Sequence, residues 1–280
     1  MKAPDFDYER PQGLAEALSL LARHGEDAAI IAGGQSLLPL LNFRMAAPEL
    51  LIDIGRLDEL KQITEQDGHI EIGGLVRHCD LAASPLIARI LPLLPQAIGH
   101  IAHPAVRHRG TIGGSLAMAD PAAELAACCL ALDGQFLLAS ERGQRWVGAE
   151  DFFHGVYETA LASDEMLTAI GLPKPGPDSV CIFKEIARRQ GDFAMAGLAL
   201  VTDVKNGPRI ALLGVSDRPM LARQTMAYLK EAPLDDLRIE AAAELIGEEV
   251  DPPEDPAYPP AYRRHLVQVL LRQALTELMQ

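Results

Sequence analysis

Two glycine-rich segments, Ala32-Gly33-Gly34-Gln35-Ser36 and Gly110-Thr111-Ile112-Gly113-Gly114-Ser115, constrain this chain more than any other feature. Each meets an apolar stretch, and each sets bare backbone beside a hydroxyl. Glycine lets peptide N–H groups approach an anion that a β-carbon would hold off. One such loop means little. Two in one chain point to a clamp on a group with two phosphates, and so to a dinucleotide cofactor. The first segment is not G-x-G-x-x-G and no Walker lysine follows it, which disfavours a Rossmann nicotinamide site and a P-loop.

At 280 residues the chain has room for one large domain or two or three small ones. Its formal charge of −14 argues against nucleic acid, whose phosphates demand a basic face. The run Arg107-His108-Arg109 reads as solvated loop charge. Met1-Lys2-Ala3-Pro4-Asp5-Phe6-Asp7 carries no apolar signal core, and Pro39, Pro92 and Pro95 cut the Leu-rich segments short of membrane-spanning length. A cytoplasmic location with no transmembrane segment is expected. Cys79, Cys128, Cys129 and Cys181 form no C-x-x-C pair, so neither a disulfide nor a metal site is expected. Cys128 and Cys129 read as small buried hydrophobes. His100, His103 and His108 read as loop histidines around Pro104.

The opening reads as β-α-β. An amphipathic helix starts at Leu14 and is capped by Gly25, and strands cover 28–32 and 50–54 with a short helix or a turn at 37–44 between them. Further on, 70–72 alternates as a strand, 77–90 reads as helices interrupted by Pro85, and 96–104 reads as a helix. Pro121 opens another helix, with Asp120 as its N-cap. Residues 135–139 and 145–147 flank a hairpin turn, and 166–172 is a strand. After Lys174-Pro175-Gly176-Pro177, strands are expected at 181–186, 198–204 and 210–215, with a turn at Asn206-Gly207. Helices are expected at 222–229, 239–246 and 262–279. The fold class is α+β in three parts: 1–55, 56–174 and 175–280.

The string from Val106 to Leu125 resembles the FAD-binding medium subunit of the molybdenum hydroxylases, the family of carbon monoxide dehydrogenase medium chains and xanthine dehydrogenase flavin domains. The resemblance runs through Ala32 to Pro39, Leu51 to Ile54, Ile72-Gly73-Gly74, Asp151 to Gly155, Asp164 to Leu167 and Phe183 to Arg189, and so covers essentially the whole chain. It implies a vanillyl-alcohol oxidase-type (PCMH-type) FAD-binding fold in two subdomains, followed by a C-terminal antiparallel-sheet and helix domain. It implies that Ala32, Gly33, Gly34, Gln35, Ser36 and Leu37 wrap the FAD pyrophosphate, with Thr111, Ile112, Gly113, Gly114 and Ser115 gripping it from the other side. Asp120 and Glu124 match acidic positions near the ribose and ribityl hydroxyls, which need acceptors. Leu167 matches a backbone position near the adenine or flavin, although as a side chain it is an ordinary core leucine. Lys184 matches a lysine near the flavin ring and is otherwise an exposed strand lysine. Asp192 and Phe193 match an acidic-aromatic pair whose ring covers the isoalloxazine, the alternative for Phe193 being core packing. The chain departs from commoner family patterns at His108, at Ser115 (often asparagine) and at Phe193 (tyrosine in some relatives).

The resemblance further implies partners: a small subunit with two 2Fe-2S clusters and a large subunit with the molybdenum cofactor, assembled as a dimer of heterotrimers. This chain would take electrons from the clusters and pass them from FAD to an external acceptor, with no catalytic side chain of its own. The alternative is a self-contained flavin oxidase or reductase of the same fold. That reading needs a substrate chamber and an acid-base residue over the flavin, for which the sequence offers no candidate. A third reading, a scaffold with a degenerate flavin fold, is opposed by the intact glycines.

Overall fold

A computed structural model describes residues 2–202 and 207–279. The first sheet is parallel because a helix separates its successive strands. Strand β1 (Asp7–Glu9) leads into helix α1 (Leu14–His24), then come β2 (Ala28–Ile31), α2 (Leu37–Asn42) and β3 (Leu50–Asp53). β3 lies between the other two, pairing with both in parallel. Apolar residues at helical spacing bury Ala17, Leu18, Leu20 and Leu21 of α1 against Leu50 and Ile52 of β3. β2, at the sheet edge, is only half-buried.

The second part opens with β4 (Ile63–Glu65) and β5 (His69–Gly73). Six short helices follow: α3 (His78–Ala83), α4 (Pro85–Ile90), α5 (Leu93–Ile98), α6 (Pro104–Arg107), α7 (Ile112–Met118) and α8 (Glu124–Ala131). The chain then returns as β6 (Gln135–Ser140), β7 (Gly143–Gly148), α9 (Ala149–Phe152), a small ribbon of β8 (Phe153–Gly155) and β9 (Glu158–Thr159), and β10 (Met166–Pro173). The sheet order is β4-β5-β10-β6-β7, with every pairing antiparallel. Its inner face, with Ile70, Ile72, Phe136, Leu138, Ile170 and Leu172, packs on the buried residues of α5, α7 and α8. α8 is apolar all round from Leu125 onward and is correspondingly buried on every side, Cys128 and Cys129 included.

Three expectations need correction here. The helix read at 96–104 begins instead at Leu93 and ends at Ile98. Pro95 is tolerated because it falls in the first turn, where N–H groups have no helical partner. The helix read from Pro121 begins at Glu124, because Asp120 holds a tight turn: its carbonyl accepts from Ala123 N–H at 2.9 Å and its Oδ1 from Ala122 N–H at 2.9 Å. Asp120 is therefore not the N-cap; Ala123 occupies that position. The second glycine segment is largely helix, being the first turn of α7.

The last part is an antiparallel sheet of β11 (Cys181–Ala187), β12 (Ala194–Val201), β13 (Arg209–Leu213) and β14 (Met220–Leu221) in sequential order, followed by α10 (Arg223–Lys230), α11 (Asp236–Glu249) and α12 (Pro260–Leu278). β12 is buried along its whole length because both sheet faces are covered. Leu198, Leu200, Ile210 and Leu212 face α11 and α12, whereas Ala199, Ala211 and Leu213 join the core built around α8. β12 starts four residues before the strand read from Leu198. The far end of that reading and Asn206 of the Asn206-Gly207 turn lie outside the described residues.

Candidate functional site

β2 and β3 run side by side and release the first glycine segment at their carboxyl ends, where Ile54 N–H donates to the Ile31 carbonyl at 3.1 Å. A β-carbon on Gly33 would stand 2.2 Å from the Arg109 carbonyl oxygen and 2.9 Å from Gly110 Cα, so the first segment lies directly against the second. Gly34 sits at φ +70°, a left-handed conformation that favours glycine. Gln35 pins the turn, its side-chain amide donating to the Gly33 carbonyl at 3.0 Å. Leu37 then opens α2, and Leu38 N–H closes on the Gly34 carbonyl at 3.1 Å. Among the described residues, no protein acceptor takes the backbone N–H of Ala32, Gly33, Gly34, Gln35 or Ser36. A half-buried run of unpaired donors is unfavourable unless an anion fills it. Consecutive donors around two glycines suit the diphosphate of FAD.

The second segment is built differently. Thr111 is buried and caps α7, its Oγ1 accepting from Gly114 N–H at 3.2 Å. Ile112 N–H donates to the Val76 carbonyl at 3.0 Å, Gly113 N–H to the Gly74 carbonyl at 2.9 Å, and Ser115 N–H to the Thr111 carbonyl at 3.0 Å. The N–H groups of Ile112, Gly113, Gly114 and Ser115 are thus already used within the chain. Their glycines permit close packing instead, since a β-carbon on Gly113 would lie 2.6 Å from the Gly74 carbonyl oxygen. What this segment still offers a ligand is the exposed backbone of Gly114, packed beside Ala32, and the Ser115 hydroxyl. Leu167 is buried on β10 and its carbonyl abuts Gly74, while Gly74 N–H donates to the Thr168 carbonyl at 2.8 Å, beside a bulge in β10. Gly74 therefore joins the Leu167 strand to α7.

Carboxylates gather at the α7–α8 turn. Asp120 accepts from Ala122, and from the Tyr157 hydroxyl at 3.3 Å. Burial pushes Glu124 up to about 7; its own helical N–H opposes the rise and Asp120 adds to it. Sequence reasoning missed Glu185, which burial pushes up to about 8 with Glu124 adding to the rise. Its Oε2 is buried without a hydrogen-bond partner among the described residues. The period of two along β11 explains its position: Phe183 joins the core around α8, and Glu185 shares that face. The same alternation could have revealed it in the sequence.

That alternation also turns Lys184 to the opposite face, where Nζ pairs with Glu277 of α12 at 2.8 Å. In this structure the Lys184 side chain is thus held on the α12 side of β11. Asp192 and Phe193 lie in the turn before β12. Phe193 is 75 % exposed, so its core-packing alternative is excluded. That turn packs closely on the segment before α6, because a β-carbon on Gly191 would lie 2.7 Å from the Ala102 carbonyl oxygen. Arg107 of α6 donates to the same carbonyl at 2.9 Å. A separate groove of about 730 Å³, lined by Glu150, Arg218, Arg223 and Glu249, lies by Leu130 at the other end of α8 and takes no part in this site.

Comparison with known proteins gives the same picture. Residues 4–175 match the FAD binding domain in molybdopterin dehydrogenase, and residues 181–278 match the CO dehydrogenase flavoprotein C-terminal domain. The chain is 38 % identical to the 6-hydroxypseudooxynicotine dehydrogenase complex subunit alpha of Paenarthrobacter nicotinovorans, over 99 % of this chain and 95 % of the relative. Among solved structures it is similar to the carbon monoxide dehydrogenase from Hydrogenophaga pseudoflava (36 % identity, TM-score 0.95, covering 99 % and 98 % of the two chains). It is also similar to the quinoline 2-oxidoreductase from Pseudomonas putida 86 (37 % identity, TM-score 0.94, covering 99 % and 98 %). No helix among the described residues is long and apolar enough to cross a membrane. With a FAD-binding domain, a flavoprotein C-terminal domain and full-length relatives that are dehydrogenase subunits, the chain belongs to the FAD-binding medium subunits of the molybdenum hydroxylase family of oxidoreductases.

Proposed function

We propose that this chain is the electron-transfer subunit of a molybdenum hydroxylase complex, receiving electrons from 2Fe-2S clusters on a small partner subunit and passing them to an external acceptor. The molybdenum cofactor and the substrate chemistry belong to a large partner subunit, and the assembly is a dimer of heterotrimers in the cytoplasm. When bound, FAD supplies two-electron storage between carriers. The observation that carries this reading is the run of unpaired backbone donors from Ala32 to Ser36, seated on the second glycine segment.

The chain's own part is binding and orientation. Ala32 to Ser36 hold the diphosphate by backbone N–H groups, with Leu37 beginning the helix behind them. Thr111 to Ser115 form the wall beneath, presenting Gly114 and the Ser115 hydroxyl. Asp120 and Glu124 accept from sugar hydroxyls. Glu124, with a carboxyl near 7, also donates when protonated. The Leu167 carbonyl borders the pocket, and Asp192 positions Phe193, whose exposed ring covers an isoalloxazine face. Each of the three parts 1–55, 56–174 and 175–280 contains one main sheet, and the cofactor is held where they meet.

The test is purification of the complex through a tag on this chain. The proposal requires flavin, iron and molybdenum to co-purify, and the flavin to bleach when the iron–sulfur clusters are reduced anaerobically. A flavin-bearing chain that purifies without iron or molybdenum and oxidises an organic substrate alone would establish the self-contained flavoenzyme instead.

A further inference from the structure

The ribbon of β8 and β9 ends in a two-residue turn, Val156-Tyr157, because Gly155 pairs with Glu158 across it. Its root is fixed: Phe153 is buried, and its ring meets those of Phe136 and Phe152 at 5.8 and 5.1 Å. Its tip reaches the α7–α8 turn. There Tyr157 N–H donates to the Ala119 carbonyl at 3.3 Å, and the Tyr157 hydroxyl donates to Asp120 Oδ2, also at 3.3 Å. The two residues joined by that backbone bond are both left-handed, Tyr157 at φ +58° and Ala119 at φ +50°. Ala119 ends a helix, where the left-handed conformation is common. Tyr157 has no such reason. A positive φ in a hairpin turn ordinarily belongs to glycine or asparagine, and a bulky aromatic there is strained. Burial of the ring does not account for it either, since Tyr157 is 57 % exposed.

What tyrosine supplies that glycine lacks is the hydroxyl. Asp120 Oδ1 accepts from Ala122 N–H at 2.9 Å, and Oδ2 accepts from Tyr157. With one bond at each oxygen, the carboxylate turns about its Cβ–Cγ bond only by breaking both. A carboxylate has about four lone-pair sites, so each oxygen keeps a free one. Burial raises the Tyr157 phenol above its usual range and Asp120 adds to the rise, so the hydroxyl keeps its proton and donates throughout the neutral range. An acceptor ordered in advance loses less freedom on binding than a mobile one.

We infer that Tyr157 is a positioning residue for the cofactor: it holds the Asp120 carboxylate in one orientation as an acceptor for a sugar hydroxyl, and the β8–β9 turn keeps a strained backbone to place it there. The inference rests on the reading that Asp120 accepts from FAD. The bond is already made in the structure and requires no movement on binding.

The test is FAD titration and thermal melting of the full chain in wild type, Tyr157→Phe, Tyr157→Gly, Asp120→Ala, the Tyr157→Phe/Asp120→Ala double variant and Gly34→Val. Tyr157→Phe keeps the ring and the turn. It should weaken FAD binding about fivefold, as loss of one hydrogen bond implies, and leave the melting midpoint of the cofactor-free chain unchanged. Tyr157→Gly relieves the turn and should hold or raise that midpoint while binding FAD no better than Tyr157→Phe. In the Asp120→Ala background Tyr157→Phe should change nothing further, because the hydroxyl has lost the group it orients. If Tyr157→Phe binds like wild type while Asp120→Ala binds weakly, the inference falls and the reading of Asp120 stands. If Asp120→Ala binds like wild type, both fall, and Gly34→Val shows whether the diphosphate loop falls with them. Equal losses from Tyr157→Phe with Asp120 present or absent, or a fall of melting midpoint and affinity in step across the Tyr157 variants, would mark the tyrosine as merely structural and overturn the inference.

Discussion

A single methyl group at Gly33 is enough to separate the two glycine segments. Its β-carbon would lie 2.2 Å from the Arg109 carbonyl oxygen, and backbone cannot yield as a flexible side chain can. Gly33→Ala should cost roughly 1–3 kcal/mol of stability, the range for overpacking, and release FAD on desalting. Denaturant melts and the visible spectrum after a desalting column check this. Glu185 provides a test by pH. Its carboxyl is raised from 4.5 to about 8 in the folded chain, so between those values the unfolded chain gives up a proton that the folded chain keeps. Its contribution to stability is therefore full below 4.5 and is lost as pH rises through 8. Glu185→Gln removes the titration and keeps the shape. Its melting midpoint relative to wild type should climb steadily from acidic to mildly alkaline buffer; a constant offset would show that Glu185 titrates normally. His78, lowered from 6.5 to about 4, has the opposite sign: its share is full above 6.5 and lost through 4 as the medium acidifies.

At the scale of elements, α7 reverses an ordinary rule. Replacing glycine by alanine inside a helix normally stabilises by about 1 kcal/mol. In α7 the added carbon of Gly113 would meet the Gly74 carbonyl oxygen at 2.6 Å and Gly74 Cα at 2.8 Å. Gly113→Ala should therefore destabilise, by roughly 1–3 kcal/mol; a stabilised variant would show that α7 and the end of β5 are not packed backbone to backbone. The same element shows why the sequence was only partly legible. Thr111-Ile112-Gly113-Gly114 carries a helix N-cap and a glycine run together, and the glycines suggested a phosphate loop. Only the third dimension shows that Gly74, far away in sequence, takes the Gly113 donor. The resemblance carried Lys184 to the flavin, whereas the alternation of β11 assigns it to α12 and Glu185 to α8. The continuous apolar run of α8 and the 3.6 period of α1 were legible because burial alone dictates them.

Across the whole molecule, polar ties join the C-terminal part to the FAD-binding part, among them Arg209 to the Leu130 carbonyl, Arg218 to the His154 carbonyl and Gly214 N–H to the Pro121 carbonyl, and Gln96 makes two more. Its Oε1 accepts from Phe183 N–H at 2.9 Å, and its Nε2 donates to the Cys181 carbonyl at 3.0 Å. Around this bridge, His100 and Phe183 pack ring against ring at 5.3 Å. Gln96→Leu strands both backbone groups and should cost about 1–3 kcal/mol, with faster amide exchange along β11 than along β6. Equal exchange in both strands would show that the Gln96 contacts do not hold β11 in place. The three-part order of sheets could be read from proline and glycine punctuation. The way the parts meet could not, because it depends on backbone contacts such as Gly33 on Arg109 and Gly191 on Ala102 that no periodicity encodes. The central claim is that the first glycine segment supplies the free donors and the second supplies the wall. Amide ¹H–¹⁵N spectra of the chain before and after adding FAD test it most directly. The account predicts large shifts at Gly33, Gly34, Gln35 and Ser36, with only small ones at Ile112, Gly113 and Gly114. Large shifts confined to residues 112–114, with 33–36 unmoved, would contradict it.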